Sequence, residues 1–333
     1  MRKAGLLSFS DRGKDLAERV AESLSGTYET VCVQPRGDLA DTAAKLFAEC
    51  DALIFIGASG IAVRAIAPCV VSKTSDPAVI VIDERGKHVI SLLSGHIGGA
   101  NELTVRIAEA IGAEPVITTA TDVNGRFSVD AWAVKQGLLI DSMETAKIFS
   151  AEILKRDLPV CSDLPLEGTL PAGLYEAPEG DLGAAVTFRT VTPFQRTLRL
   201  VPKCLHLGIG CRRGTTAEQI RSLAVQTLAE YSIDPRAVCR IASIDVKADE
   251  PGLLGFAEEL GVPSQFFSAE QLQQAPGSFS ASVFVQNTVG VDNVCERAAM
   301  FSAGNSAQLV IKKTAAGGVT VAAALENRRI RFE

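Results

Sequence analysis

The sequence predicts an α/β protein: two three-layer α/β/α domains with mostly parallel sheets, joined by a small irregular middle module. Residues 3–56 alternate strand and helix signals in the order expected of a parallel sheet. A second alternation begins at Cys204 with a buried strand and a Gly-x-Gly turn. Between the two, proline and glycine crowd the segment 165–183, which predicts loops.

The first domain, residues 1–127, is predicted from the spacing of its apolar residues. Apolar runs predict strands, and apolar residues three or four apart predict helices. The alternating elements fall at 4–9, 11–24, 30–34, 39–47 and 51–56. Strands at 78–83 and 88–93 flank turn-forming residues, which predicts a hairpin. A glycine-rich turn at 94–99 then leads into a helix that Gly112 closes, and a strand follows at 115–118.

The rest of the chain is predicted as a middle module, residues 128–202, and a second α/β domain, residues 203–333. In the middle module, 191–203 is the best linker candidate because Pro193 and Pro202 bound it. The second domain continues the alternation, with elements at 205–209, 216–231, 237–244, 251–260, 262–267, 290–301, 308–312 and 318–324.

Charge and composition exclude several classes of function. The net charge of −6 leaves no overall basic footprint for duplex DNA or RNA, and an aromatic content of 5% argues against stacking on single strands. No apolar run is long enough for a signal peptide or a bilayer span, so we expect a cytoplasmic protein without membrane or nucleic-acid partners. The eight cysteines lack metal-framework spacing and are expected to be reduced thiols.

The turn that begins at Ser94 carries the densest set of candidate functional residues. It lies between a strand and a helix, and its glycines leave backbone amides bare for a carboxylate or an oxyanion. His96 is the one histidine in such a loop, and it could act as a general base near neutral pH. The alternative is a tight turn in which His96 caps the helix.

A second cluster follows the buried strand at 51–56. Gly57, Ser59 and Gly60 could present amide donors, and Arg64 could reach an anion from the following helix. A plain strand–helix turn with a solvated arginine explains these residues equally well.

Two shorter clusters flank strands of the same domain. Lys73 precedes a strand and could pair with a carboxylate, although loop lysines are usually solvated. Thr119 and Asp122 follow a strand end, where they could orient a water molecule or a substrate proton, or simply cap the next helix.

The second domain has its own glycine-rich turn between a strand and a helix. Gly210 and Cys211 lead to Arg212 and Arg213, whose guanidinium groups suit carboxylates or phosphates. As a nucleotide motif the turn is weak, because Arg213 occupies the position of the third glycine. A nucleophilic Cys211 beside the two cations is a less favoured alternative.

Long motifs in both halves occur together and in order. They are Gly57-Ala58-Ser59-Gly60-Ile61, Lys73-x-x-Asp76-Pro77, Leu93-Ser94-Gly95-His96-x-Gly98-Gly99, Thr118-Thr119-Ala120-Thr121-Asp122, Gly208-x-Gly210-Cys211-Arg212-Arg213-Gly214 and Ser243-x-Asp245-x-Lys247-x-x-Glu250. Through them the chain resembles the CbiG family of anaerobic cobalamin biosynthesis, with a C-terminal domain similar to CobE. The resemblance covers nearly the whole chain and is loose only around 130–200.

The resemblance implies a hydrolase that acts on a carbon–carbon bond. Water opens the δ-lactone of cobalt-precorrin 5A, and the two-carbon unit leaves as acetaldehyde to give cobalt-precorrin 5B. The cobalt arrives within the substrate, so no cofactor and no resident metal are expected. Neighbouring pathway enzymes are conceivable partners, and the protein is expected to be a monomer or a homodimer. The alternative function is a non-catalytic carrier or chaperone of the tetrapyrrole.

Roles for individual residues are our inference from this chemistry. The expected catalytic residues are His96 to activate water, Asp122 to orient His96, and Lys73 or Glu102 to supply an acid. Amides of Gly98 and Gly99 would stabilise the oxyanion. His96 as an axial cobalt ligand is a less favoured alternative, because a lone histidine is no metal framework.

The substrate is a polyanion, so a chain of net negative charge must present local cations to bind it. We expect Arg64, Lys73, Arg126, Arg212 and Arg213 to line one cleft shared by the two α/β domains. The full set of expected substrate-binding residues is Gly57, Ser59, Gly60, Arg64, Ser94, Gly98, Gly99, Asn101, Thr119, Arg126, Gly210, Cys211, Arg212 and Arg213.

Overall fold

The computed structural model describes residues 1–72, 75–281 and 290–332, which fold into two compact units. The first unit comprises 1–134 with 153–155, and the second comprises 135–152 with the rest of the chain. Both are mixed α/β structures with largely parallel sheets, which confirms the predicted fold class. The boundaries proposed for three domains stay a prediction. Within the described ranges, none of the helices is long and apolar enough to cross a bilayer.

In the described part of the first unit, one six-stranded sheet has the order β2-β1-β3-β4-β5-β6. Its strands are β1 (Arg2–Ser8), β2 (Tyr28–Val33), β3 (Ala52–Ile56), β4 (Ala78–Ile82), β5 (His88–Leu93) and β6 (Glu114–Val116). Neighbouring strands pair in parallel, except that β4 and β5 form the predicted antiparallel hairpin.

Helices cover both faces of this sheet, so the first unit has the three layers that the sequence predicts. They are α1 (Asp11–Ser23), α2 (Leu39–Glu49), α3 (Ser59–Ile66) and α4 (Ala100–Ile111). The shorter helices α5 (Ala120–Val123) and α6 (Val129–Lys135) follow β6. Leu16 of α1 and Ile107 of α4 are buried in one core, whereas Leu46 of α2 and Ile66 of α3 are buried in another. Each core is an apolar layer between the sheet and one pair of helices.

The hairpin decides where the loops of the first unit lie. At the end of β5, Leu93 pairs with Val79, at the beginning of β4. The amide of Gly57, just after β3, instead donates to the carbonyl of Ile82, at the end of β4. The turn after β5 therefore lies at the end of the sheet where β4 begins, and the turn after β3 lies at the end where β4 finishes.

The middle of the chain is more regular than the sequence predicts. A second sheet within the described residues has the order β10-β8-β11-β12-β7. This part of the chain comprises β7 (Leu138–Ile140), α7 (Met143–Glu152), β8 (Leu158–Ser162), β9 (Leu166–Glu167), β10 (Leu174–Glu176), β11 (Gly180–Val186) and β12 (Phe194–Pro202).

The prediction of a linker at 191–203 is therefore wrong, whereas the bounds of the middle module stay a prediction. The segment 191–203 contains β12, in which Leu198 and Leu200 are fully buried on either side of Arg199. Its two prolines stand just before the strand and at its last residue, positions where proline interrupts no central ladder. The prolines indicated a linker, but the alternation of apolar and polar residues decided the structure.

The third sheet, in the order β15-β14-β13-β17-β16, begins where the second domain was predicted to begin. Its part of the chain comprises β13 (Leu205–Cys211), α8 (Ala217–Glu230), β14 (Val238–Ile244), α9 (Pro251–Leu260), β15 (Ser264–Phe267), α10 (Ala269–Gln273), α11 (Cys295–Ala303), β16 (Gln308–Ala316), β17 (Val319–Leu325) and β18 (Ile330–Arg331). The strands β15, β14 and β13 are parallel, whereas β17 and β16 are antiparallel to their neighbours.

Candidate functional site

His96 lies between two carboxylates in the first unit. Its Nε2 is 2.8 Å from Asp122 Oδ2, and its Nδ1 is 3.1 Å from Asp130 Oδ1. The side chain of His96 is 17% exposed, that of Asp122 36% and that of Asp130 10%. The imidazole is thus held at both nitrogens in a site that remains open to solvent on the Asp122 side.

A network of hydroxyl and amide groups fixes Asp122. Its Oδ2 accepts hydrogen bonds from Thr119 Oγ1 at 2.5 Å and from Asn101 Nδ2 at 3.3 Å. Asn101 also donates to Thr119 Oγ1, and its own Oδ1 accepts from Ser91 Oγ at 2.7 Å. Asn101 and Thr119, which the sequence suggested for substrate binding, position the carboxylate of Asp122.

The backbone of the turn after β5 is tightly folded. Ser94 has a φ of +57°, and Gly99, at the start of α4, has a φ of +81°. A Cβ atom on Gly98 would lie 2.4 Å from the Cβ of Ser94, so only glycine fits there. The amide of Gly99 donates to the carbonyl of His96 at 3.0 Å. That amide therefore caps the turn itself, whereas the sequence suggested it for an oxyanion.

The two carboxylates set the protonation of the imidazole. Burial works to lower the pKa of His96, but the hydrogen bonds and negative charges of Asp130 and Asp122 outweigh it, so the pKa is raised. Burial works to raise the pKa of Asp122, but hydrogen bonds from Thr119 and His96 lower it overall. The arrangement stabilises an imidazolium between two carboxylate ions, which suits a group that takes up a proton and later returns it.

The cluster of Gly57, Ser59, Gly60 and Arg64 lies apart from His96. These residues follow β3 and so lie at the opposite end of the sheet from the turn after β5. The guanidinium of Arg64 folds back to donate to the carbonyl of Gly60 at 3.2 Å. The structure therefore does not bring this cluster together with His96, and its part in substrate binding stays a prediction.

Three other predicted residues have different outcomes. Lys73 lies outside the described residues. Glu102 is exposed in the first turn of α4, and within the described ranges it makes no hydrogen bond or ion pair to the His96 cluster. Arg126 donates from its amide to the carbonyl of Thr121 and from Nε to the carbonyl of Ile153, so it braces the loop between α5 and α6.

The predicted residues of the second unit line a cavity of about 600 Å³. Gly210, Cys211, Arg212 and Arg213 form one side of it, as the end of β13 and the turn that follows. The predicted arginines and glycine are thus brought together around one cavity. That this cavity and His96 belong to one shared cleft stays a prediction.

Cys211 is poorly suited to be a nucleophile. Burial raises its pKa, although the charges of Lys247 and Arg213 work to lower it. A thiol with a raised pKa is mostly protonated at neutral pH, whereas the reactive species is the thiolate. The reading of Cys211 as a wall residue of the cavity fits better than the nucleophilic alternative.

Sequence reasoning missed three residues of these sites. Asp130 lies beyond the predicted end of the first domain, next to Ser128, whose hydroxyl donates to it. Lys247 and Lys313 line the cavity of the second unit but are far apart in sequence. A signal for Lys247 was present in its spacing from Glu250, since the two side chains form a buried ion pair with an N–O distance of 3.2 Å.

Within the part of the chain that the structure describes, one cluster of side chains has the residue types of a metal site. His206, Cys239 and Glu326 place potential ligand atoms within 4.8 Å of one another. Each has a protein partner, because His206 contacts Ser302 Oγ and Glu326, and the thiol of Cys239 donates to the carbonyl of Leu205. Burial raises the pKa of Cys239 to about 11. We interpret the cluster as a buried polar network, and the absence of a cofactor stays an expectation.

Comparison with known proteins finds relatives for both units. The model of the cobalamin synthesis G N-terminal family matches residues 41–122, and that of the cobalamin synthesis G C-terminus family matches residues 205–324. A protein of Salmonella typhimurium named cobalt-precorrin-5A hydrolase is 41% identical over 95% of this chain and 95% of its own length. A protein of Priestia megaterium with the same name is 35% identical over 84% of this chain and 80% of its own.

A shorter relative matches the last part of the chain. The protein CobE of a Sinorhizobium species is 36% identical over 36% of this chain and 79% of its own length. The matched family segments together span more than half of the chain, and the first two relatives match most of it. The chain belongs to the CbiG family of cobalamin synthesis proteins, with a C-terminal region similar to CobE.

Proposed function

We propose that the protein is a cobalt-precorrin-5A hydrolase, which opens the δ-lactone of its substrate and releases a two-carbon unit as acetaldehyde. The names and extent of its two long relatives support a hydrolase of this substrate. The observation that carries the chemistry is the imidazole of His96 between the carboxylates of Asp122 and Asp130. It supplies a positioned proton acceptor whose charged form is stabilised in advance.

The reaction has two steps that each need a proton transfer. In the first, water adds to the lactone carbonyl and gives up a proton, and the ester carbon–oxygen bond breaks to leave a carboxylate and a free hydroxyl. In the second, the hydroxyl loses its proton while the carbon–carbon bond to the macrocycle breaks. The bonding pair stays on the macrocycle carbon, which takes up a proton, and acetaldehyde leaves. The net reaction is hydrolysis of a carbon–carbon bond.

His96 is suited to both transfers. The neutral ring takes the proton from water, and the imidazolium that forms lies between two negative charges. The same ring then returns a proton to the macrocycle carbon. Asp122, fixed by Thr119 and Asn101, keeps the imidazole in one orientation during the cycle.

The test measures the acetaldehyde that is released from cobalt-precorrin 5A. A coupled reaction that reduces the aldehyde detects it. We expect many equivalents of acetaldehyde per protein chain from the unaltered protein. The His96→Ala variant is expected to lose at least about 100-fold in rate, the usual contribution of a general base. Lactone opening by His96→Ala at the normal rate would remove His96 from the mechanism.

A matched control separates chemistry from folding. His88 is a second histidine of the first unit, half-exposed and paired with Asp83 at a distance from the turn. The His88→Ala variant should keep its rate. Release of no more than one equivalent by the unaltered protein would favour the carrier instead.

A further inference from the structure

The cavity of the second unit lies where ligands of α/β proteins usually bind. It is bounded by the carboxyl ends of the parallel strands β13 and β14, by the turn between β16 and β17, and by the beginning of α11. Its volume of about 600 Å³ falls within the range of small-molecule sites, roughly 300–1,000 Å³. Its place in the sheet and its size both fit a ligand site.

The charged groups at this cavity are all cations. Among its described lining residues, Arg212, Arg213, Lys247 and Lys313 are basic and none is an aspartate or glutamate. Arg213 pairs with Asp249, and Lys247 pairs with the buried Glu250.

Two of these four cations have no side-chain partner among the described residues. Within the described ranges, neither the guanidinium of Arg212 nor the ammonium of Lys313 makes a hydrogen bond or an ion pair. In a chain of net charge −6, two uncompensated cations at one cavity indicate a negatively charged ligand.

Apart from Asn293 and Thr320, the rest of the lining consists of small or apolar residues. Its apolar and small members include Ile244, Val294, Ala315, Ala316 and Gly317. These residues offer apolar contact, and the side-chain hydrogen-bond donors of the described lining are mainly its four cations, Asn293 and Thr320.

Gly318 lets Arg212 lie along the cavity wall. A Cβ atom at Gly318 would lie 2.9 Å from Cδ of Arg212, so the arginine packs directly on the glycine backbone. The cavity therefore combines a held cation, a second cation and an apolar wall.

We infer that the cavity bounded by Arg212 and Lys313 binds carboxylate arms of an apolar macrocycle, so that the second unit anchors the tetrapyrrole independently of the His96 cluster. The choice of a tetrapyrrole rests on the proposed function, whereas the need for an apolar polyacid follows from the cavity. Each cation can bind one carboxylate, with Arg212 able to bind it in a bidentate manner.

The test uses the full-length protein and uroporphyrin, a porphyrin whose arms are acetates and propionates. Quenching of porphyrin fluorescence measures its Kd. Arg212→Ala and Lys313→Ala are each expected to weaken binding about tenfold, the usual loss for a hydrogen bond to a charged group. A porphyrin with cationic pyridinium arms tests the need for negative charge on the ligand. Its Kd for the unaltered protein should be at least about tenfold higher than that of uroporphyrin.

The matched control is Lys312→Ala. Lys312 is the exposed neighbour of Lys313 on β16 and does not line the cavity. Its removal changes the net charge equally, so it should leave the Kd within about twofold. Arg212 is exposed and Lys313 is only partly buried, and circular dichroism with thermal unfolding checks that their variants fold.

The outcomes separate this inference from the proposed function. His96→Ala should bind uroporphyrin normally while releasing acetaldehyde at least about 100-fold more slowly than the unaltered protein. Normal binding by both Arg212→Ala and Lys313→Ala would overturn the inference, even if the unaltered protein hydrolyses cobalt-precorrin 5A. Equal weakening by Lys312→Ala would also overturn it, because it would show an effect of net charge alone. Weakened binding by the two cavity variants would support the inference even if no hydrolysis were found.

Discussion

An imidazole with a carboxylate at each nitrogen differs from one with a single carboxylate partner. A neutral ring carries one N–H, so it can donate to only one of Asp122 and Asp130 and turns a lone pair toward the other. Protonation replaces that repulsion with a second hydrogen bond. This is the physical reason why the pKa of His96 is raised, although burial alone would lower it.

Asp130→Asn should move the pH dependence of hydrolysis. In the proposed mechanism, kcat/KM rises with pH as His96 loses its proton, with a midpoint at the raised pKa of this residue. The amide removes one negative charge beside Nδ1, so the pKa of His96 falls and the rising limb shifts to lower pH. Nuclear magnetic resonance titration of His96 and a pH–rate profile measure the two shifts.

The control for this prediction is Asp181→Asn. Asp181 lies on the surface of the second unit, where it pairs with Arg156 at an N–O distance of 2.6 Å, and it is not one of the carboxylates that pair with His96 within the described ranges. Its variant should keep the pH–rate profile. An unchanged His96 titration in Asp130→Asn would show that Asp130 does not set the pKa.

Residue types and spacing indicated His96 and Asp122 of this cluster but not Asp130. His96 and Asp122 stood out because each follows a strand in a segment rich in glycine or hydroxyl groups. Asp130 has no such setting, and its approach to His96 depends on the loop that carries the chain from α5 to α6. A contact of this kind is fixed by tertiary structure, which single residues in a sequence do not display.

At the scale of elements, the β4–β5 hairpin separates two glycine-rich turns that the sequence suggested for one site. Reversal at β4–β5 moves the carboxyl end of β5 to the end of the sheet at which β4 begins. The rule that ligands gather at the carboxyl ends of strands applies to parallel strands, and β5 is antiparallel to β4. The glycine-rich turns after β3 and β5 therefore lie at opposite ends of the sheet, although their sequences look alike.

In the middle of the chain, a high content of proline and glycine obscured the prediction of a regular strand. Proline and glycine between 165 and 183 predicted loops, but β11 begins within that segment and continues to Val186. It pairs in parallel with β8 and β12, and Ala184 and Val186 are buried. Small residues can form a central strand when neighbouring strands supply the packing, which the local sequence does not reveal.

Gly208→Ala should destabilise the packing of α11 on β13. A Cβ atom at this position would lie 1.8 Å from the carbonyl oxygen of Cys295 and 2.8 Å from the amide of Ala299. Both contacts are with backbone, so the helix itself must move. We expect a loss of about 2–4 kcal/mol in the free energy of unfolding, comparable with severe overpacking of a core. Thermal and urea unfolding measure it.

Gly255→Ala is the matched control within the same unit. Its Cβ would meet the Cβ of Ala217 at 3.5 Å, an ordinary contact, and the residue lies within the helix α9. Alanine favours a helix over glycine by about 1 kcal/mol, so this variant should be unchanged or more stable. Equal stability of Gly208→Ala and Gly255→Ala would contradict the close approach of α11 to β13.

At the scale of the molecule, the two units differ in the chemistry that their side chains offer. The first holds an imidazole that can transfer a proton, placed between two carboxylates. The second holds a cavity lined largely by cations and small or apolar groups. The α/β class and most elements of both units followed from apolar periodicity. The cavity did not, because its lining comes from four segments that are distant in sequence.

The net charge of −6 and the local cations should produce a distinct response to salt. Overall negative charge repels a polyanion at long range, whereas Arg212 and Lys313 attract its arms at contact. If contact attraction dominates binding, the KM for cobalt-precorrin 5A rises between about 0.05 and 0.5 M salt, because the Debye length falls below about 10 Å. The kcat should stay constant, since His96 acts on substrate that is already bound.

The same measurement on the Arg212→Ala/Lys313→Ala double variant identifies the charges responsible. Its KM should start higher and change less with salt, because the groups that salt screens have been removed. A KM that falls with salt in the unaltered protein would mean that repulsion by the whole chain outweighs the cavity. Parallel salt responses in the two proteins would place the attracting cations elsewhere, for which Arg64 and Arg126 of the first unit are the next candidates.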